Sequence, residues 1–205
     1  MSSIVVAGDT SGSVTLQAPA VSGSTVLTLP AVSGTVITNT AGVVTQAMLS
    51  TNVAGNGPAF SAYLSVAITN IASATGVTVP YDTKLFDTAS RYNNTASTVG
   101  GIPAYSFMPN VAGYYQVSGS CNYEASNGTT RVLFNTAGVS SNRLQDVSVS
   151  GTVISGTVSG STLVYFNGTI DYISMSTYQA GTGQQRIQGG AGAVTWFTAF
   201  LARSA

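Results

Sequence analysis

The chain has 205 residues, enough for one domain of about 150 residues with an appendage, and carries six Lys or Arg, six Asp or Glu and no His. A net charge of zero leaves no basic surface to hold a phosphate backbone, which argues against a nucleic-acid partner. The missing imidazole removes the commonest general base and metal ligand, so no catalytic or metal-binding residue and no cofactor is expected. With so few charges, solubility rests on hydroxyls and amides, and a chain of this kind is expected to live assembled. No run of about 18 apolar residues is present, so membrane insertion is not expected. MSSIVVAGDT has neither the basic region nor the long apolar core of a signal peptide, so secretory export is not expected either.

Residues 11–43 repeat one phrase at a period of eleven: SGSVTLQAPAV, SGSTVLTLPAV, SGTVITNTAGV. Ser-Gly recurs at 11, 22 and 33, and Pro19 and Pro30 keep the same interval, so each unit is expected to be a strand closed by turns. In the second unit Val26, Thr28 and Pro30 alternate against Leu27, Leu29 and Ala31. A single strand cannot bury an apolar side alone, so stacked units or symmetry-related chains must supply the other wall. The phrase therefore predicts an ordered stalk in which Val26, Leu27 and Leu29 pack between chains.

A junction follows at 40–58, with one short helical turn expected around Gln46 to Leu49 and the domain boundary near Asn56. The expected organisation is a repetitive β stalk over 1–56 and a separate domain over 57–205. Beyond the boundary, Val, Thr, Ile, Tyr and Phe fall in short runs bounded by Gly, Pro or Asn. They predict strands at 59–65, 77–86, 104–108, 113–124, 130–134, 144–150, 161–166, 171–179 and 194–202. Strands of this number and spacing imply a sandwich or jelly roll. In 113–123, Tyr115, Val117, Gly119, Cys121 and Tyr123 share the face expected to point inward, and in 171–179 Ile173 and Met175 share another. Segment 146–161 echoes the opening phrase without its period, and is expected to be a strand with a flexible hairpin or long loop.

Chemistry is sparse. Cys121 has no imidazole to activate it and alternates with Tyr115 and Val117, so a buried structural thiol is expected. Glycoside hydrolysis needs two facing acids, but Asp9, Asp82, Asp87, Glu124, Asp146 and Asp171 are scattered over different segments. Asp82 and Asp87 lie five apart, on opposite faces of a strand, and are expected to serve turns or ion pairs with Lys84 or Arg91. Asn127-Gly128 and Asn167-Gly168 are expected to be hairpin turns, and the glycines around 181–183 and 189–192 loops. Tyr92, Tyr105, Tyr114, Tyr172 and Tyr178 lie near turns or on faces the core does not claim, free to pack against another chain or to stack on sugars.

Several segments resemble the C1q-like domain, a jelly roll shared with the tumour necrosis factor superfamily. They are Ala59-Phe-Ser-Ala62, Lys84-Leu-Phe-Asp-Thr88, Arg91-Tyr-Asn-Asn-Thr95 and, most specifically, Tyr105-Ser-Phe-Met-Pro-Asn-Val-Ala-Gly-Tyr-Tyr-Gln-Val117. Leu163 to Met175 and Thr195-Trp-Phe-Thr-Ala-Phe-Leu201 complete the likeness, which covers 59–202. Thr169-Ile170-Asp171 departs from it, since the family places Gly directly before Asp. The resemblance implies an all-β jelly-roll head that assembles as a trimer, with Tyr114 and Tyr172 at the trimer axis. The repeat separately resembles segments of bacteriophage tail fibres and other virion appendages. Together the two resemblances imply a non-enzymatic homotrimeric fibre, assembled in the host cytoplasm and carried on the virion. Its stalk would dock on tail or capsid proteins, and its head would contact the host surface, with a glycan as one possible ligand. A capsid decoration or cement protein is the alternative, and a polysaccharide depolymerase a third.

Overall fold

In the computed structural model the described residues are 3–7, 13–17, 49–72, 75–137, 145–180 and 185–205, and all regular structure among them is β. The chain divides into two compact units, Met1–Val43 and Val44–Ala205. In the first, β1 (Ser3–Ala7) pairs antiparallel with β2 (Ser13–Gln17), from Ser3 opposite Gln17 to Ala7 opposite Ser13. β2 is the extended part of the first repeat. The second and third repeats, with Val26, Leu27 and Leu29, and the turn expected at 46–48 lie outside the described residues. Leu49 to Asn56, at the expected junction, falls within the second unit.

The second unit holds β3 (Ala59–Tyr63), β4 (Ile68–Ile71), β5 (Thr75–Thr78), β6 (Thr83–Asp87), β7 (Ser106–Phe107), β8 (Gly113–Ala137), β9 (Gln145–Phe166), β10 (Tyr172–Ala180), β11 (Gln185–Ile187) and β12 (Trp196–Ser204). One layer, the front sheet, runs β6-β3-β12-β8-β9, using the first half of β8 and the second half of β9. The back layer is built on β10, which pairs with β5 and β7 on one side and with residues 129–137 of β8 on the other. β8 and β9 thus form one antiparallel ribbon that serves both layers. Its pairing shifts register between Tyr123 and Ser126 and again between Ser126 and Gly128. Gly156, opposite Tyr123, has φ +146°, a conformation side chains disfavour. Such irregularities bend a ribbon without ending its ladder.

That ribbon corrects several expectations. The strands expected at 113–124 and 130–134 are one, as are those at 144–150 and 161–166. Asn127-Gly128 is not a turn but part of β8 beside the register shifts, and 146–161 is uninterrupted strand rather than hairpin or loop. Glycine spacing that resembles loop punctuation marks the bend instead. Asn167-Gly168 is a turn, with Gly168 at φ +75°, but it links β9 to β10, which do not pair with each other, so it closes no hairpin. The expected strand 77–86 is two. β5 joins β10 and β6 joins β3, with Pro80, which has no N–H for a ladder, in the gap.

Alternation along the strands fills the space between the layers. Tyr115, Val117, Cys121 and Tyr123 of β8, Phe197, Ala199 and Leu201 of β12, and Ile173 and Met175 of β10 are all buried. Gly119 completes the β8 face; a Cβ there would sit 2.2 Å from Met175 Sδ of the opposite layer. Phe60 and Tyr92 stack at 4.3 Å, and Phe197 meets Phe60 edge-on at 5.0 Å. Tyr92 is therefore core, not surface as expected. Its hydroxyl donates to the Tyr81 carbonyl at 2.9 Å, so the ring is buried without stranding its polar atom.

Candidate functional site

The strands of the front sheet expose two cations, Lys84 on β6 and Arg203 on β12 opposite Tyr114, and the rest of the outer face is uncharged. Residues between the buried ones point out: Ala59, Ser61 and Tyr63 on β3, Trp196, Thr198 and Phe200 on β12, Tyr114, Gln116 and Ser118 on β8, Ser161, Leu163 and Tyr165 on β9. Within this face and the adjoining β6, Phe86, Phe200, Leu163, Tyr114 and Tyr165 are each between 40% and 57% exposed. Phe200, Gln116 and Leu163 lie in one cross-strand row, and Tyr114 sits opposite Tyr165 with rings 5.4 Å apart, edge to face. The next row is hydroxyl-rich: Ser118 and Ser161 share a hydrogen bond of 2.7 Å, and Thr198 Oγ1 donates to the Phe60 carbonyl at 2.7 Å. An exposed apolar patch on an otherwise polar sheet marks a surface that buries itself against another molecule.

Among the described residues, the interior polar groups are tied to one another. Tyr81 donates its hydroxyl to the Ser120 carbonyl at 3.2 Å and lies 3.5 Å from Cys121 Sγ and 3.4 Å from Met175 Sδ. Burial pushes the Cys121 thiol up to about 12 from an ordinary 9.0, which makes it the structural thiol the sequence implied. Burial likewise raises Tyr81, Tyr92, Tyr115 and Tyr123 above the ordinary 10.0. Tyr123 is tied to Thr177 Oγ1 at 2.7 Å and Tyr115 to the Val111 carbonyl at 2.9 Å.

Of the described carboxylates, Asp82, Asp87 and Asp171 hold connections between strands and Glu124 makes a cross-strand ion pair. Asp82 accepts from the Ser65 amide at 2.8 Å and from its hydroxyl at 2.6 Å, joining the end of β3 to the start of β6. Asp87 accepts from the amides of Arg91 at 3.0 Å and Tyr92 at 3.1 Å, and pairs with Lys84 Nζ at 2.9 Å. Asp171 accepts from the Asn167 amide at 2.8 Å, and Glu124 pairs with Arg186 across β8 and β11. These are the turn and ion-pair roles expected for Asp82 and Asp87, except that Arg91 is reached through its backbone.

Tyr114 lies on the outer face just described. Tyr172 is on β10, in the other layer and opposite Ala137, so the fold does not bring the two together. Leu163, Tyr165 and Phe200 were not singled out from the sequence. The signal was there: each alternates with core residues, Val164 and Phe166 or Ala199 and Leu201.

No protein-family model and no curated protein matches the sequence. Solved structures do. The globular domain of zebrafish complement 1qA protein is 17% identical, with a TM-score of 0.50 over 72% of this chain and 98% of that one. Murine APRIL is 8% identical, with a TM-score of 0.51 over 69% of this chain and 96% of its own. The head is thus a jelly roll of the C1q and tumour necrosis factor type.

Proposed function

We propose that the protein is a non-enzymatic virion component, a homotrimeric phage tail fibre or appendage whose jelly-roll head contacts the host surface through a glycan. The exposed apolar side chains on the outer face of the front sheet carry the trimer reading, since Phe200, Leu163, Tyr114 and Tyr165 gain from burial against a second copy. The eleven-residue repeat supports the virion reading: its resemblance is to fibre segments, and it docks on tail or capsid proteins while the particle assembles in the host cytoplasm. Three heads on one stalk multiply weak contacts with a surface through avidity.

Sedimentation equilibrium of the purified chain tests the assembly, with a trimer expected; a monomer at micromolar concentration overturns it. Microscopy of labelled particles tests the location. Label on tail or appendage tips, with adsorption lost when the protein is removed, supports the fibre. Label spread over the capsid, with adsorption intact but particles fragile, overturns it in favour of a decoration or cement protein.

A further inference from the structure

Two of the six cations in the sequence line a single cavity, of about 380 Å³, between β6 and the loop that follows it. That volume lies within the range of about 300–1,000 Å³ that holds small ligands. Lys84, Ser90, Arg91, Asn93, Asn94 and Val99 form its walls. The two cations differ. Lys84 is held by Asp87, whose two oxygens also take the Arg91 and Tyr92 amides. Arg91 has no carboxylate for its guanidinium among the described residues, and its Nε is enclosed without any hydrogen-bond acceptor. A guanidinium that lines a cavity without a carboxylate to neutralise it is a charge that an incoming anion would pair with.

The loop around it is already set. Asn93 is buried and spans the loop, donating to the carbonyls of Ser97, Ile102 and Pro103 at 2.7, 2.9 and 3.1 Å and accepting from Thr95. Ser90 is held at φ +54° beside the two amides that Asp87 fixes. Asn94 donates to the Asp82 carbonyl at 2.6 Å, which leaves its own Oδ1 as an acceptor. Val99, exposed at the rim, adds an apolar contact. One bare cation, neighbouring hydroxyl and amide groups and a small apolar edge match a carboxylate attached to a polyhydroxylated ring.

We propose that this cavity binds an acidic sugar: Arg91 takes the carboxylate, Ser90 and Asn94 take ring hydroxyls, and Val99 meets a C–H face. The proposal narrows the glycan of the function above to a carboxylated one, and rests on that reading for its class of ligand alone. Titration of the full chain with D-glucuronate, followed by NMR, tests it against D-glucose and acetate. Saturable glucuronate binding, about tenfold or more tighter than either control, is expected. Arg91→Gln should weaken it about tenfold or more. Val99→Glu, a change to an exposed side chain that leaves the core alone, should weaken it too by repelling the carboxylate. Acetate bound as tightly as glucuronate, no saturable binding, or binding indifferent to both substitutions overturns the proposal. A trimer that ignores glucuronate defeats this inference alone, and a monomer that binds it defeats only the assembly.

Discussion

Gly119 is fixed by what faces it. Any side chain there meets Met175 from the opposite layer, so Gly119→Ala is expected to lower stability by about 1–3 kcal/mol through overpacking. Urea unfolding reads this against Gly192→Ala, where a Cβ finds its nearest neighbour 4.0 Å away and should cost almost nothing. The buried tyrosines set an alkaline limit. Tyr81, Tyr92, Tyr115 and Tyr123 keep their protons longer folded than unfolded, because burial disfavours the phenolate. The unfolded chain starts losing those protons near its ordinary 10.0, so stability is full below about pH 10 and falls as pH rises above it. Circular dichroism and phenolate absorbance should change together there; phenolates of these four forming in a chain still folded would refute the argument. At this level the sequence was most legible, since period-two alternation placed Tyr115, Val117, Gly119, Cys121 and Tyr123 inside. Alternation names a face but not its partner, so Met175 opposite Gly119 was out of reach.

Strand β6 and the loop after it depend on one carboxylate. Asp87, whose side chain is 5% exposed, satisfies two amides and an ammonium at once. Asp87→Ala leaves those amides enclosed without acceptors and is expected to cost about 1–3 kcal/mol. Because Tyr92 donates its amide to Asp87 and stacks on Phe60, the loss should also speed hydrogen exchange at the Tyr92 amide, measured by NMR. Exchange unchanged while stability falls would show that the loop is held by something else. Such ties span only four or five residues, and Asp and Arg in a turn-rich stretch already pointed to them. The ribbon of β8 and β9 was far less readable. Its Ser-Gly pairs have the composition of loops, and only cross-strand pairing, which no local window contains, turns them into a bent ladder. β4 and β11 escaped notice for a similar reason: each is a short polar strand, ITNI or QRI, ordered by the neighbour it pairs with.

The assembled molecule should respond to a change on its apolar face. Phe200→Asp puts a charge into the proposed interface while leaving the inward residues of β12 untouched, so the trimer is expected to sediment as a monomer that keeps its fold but melts at a lower temperature, without the concentration dependence of the assembly. The native assembly should also depend only weakly on added salt, since Arg203 is the one exposed charge along β3, β12 and the front-sheet halves of β8 and β9. Dissociation by salt, or a trimer that survives Phe200→Asp, would place the interface elsewhere. Fold type was legible because the number and spacing of strands leave few architectures, whereas the face that meets another chain needed the strand order. The shared ribbon has one more effect. Antiparallel strands slip by whole residues, and a slip of one exchanges the inside and outside of every side chain it carries. Because β8 and β9 run through both layers, the alignment of the two layers meets at the bend, where the pairing changes register twice. Within either half a slip of one would turn Tyr115, Val117, Cys121 and Tyr123 or their partners away from the core, so the two register shifts at the bend must form in place for both halves to be threaded correctly.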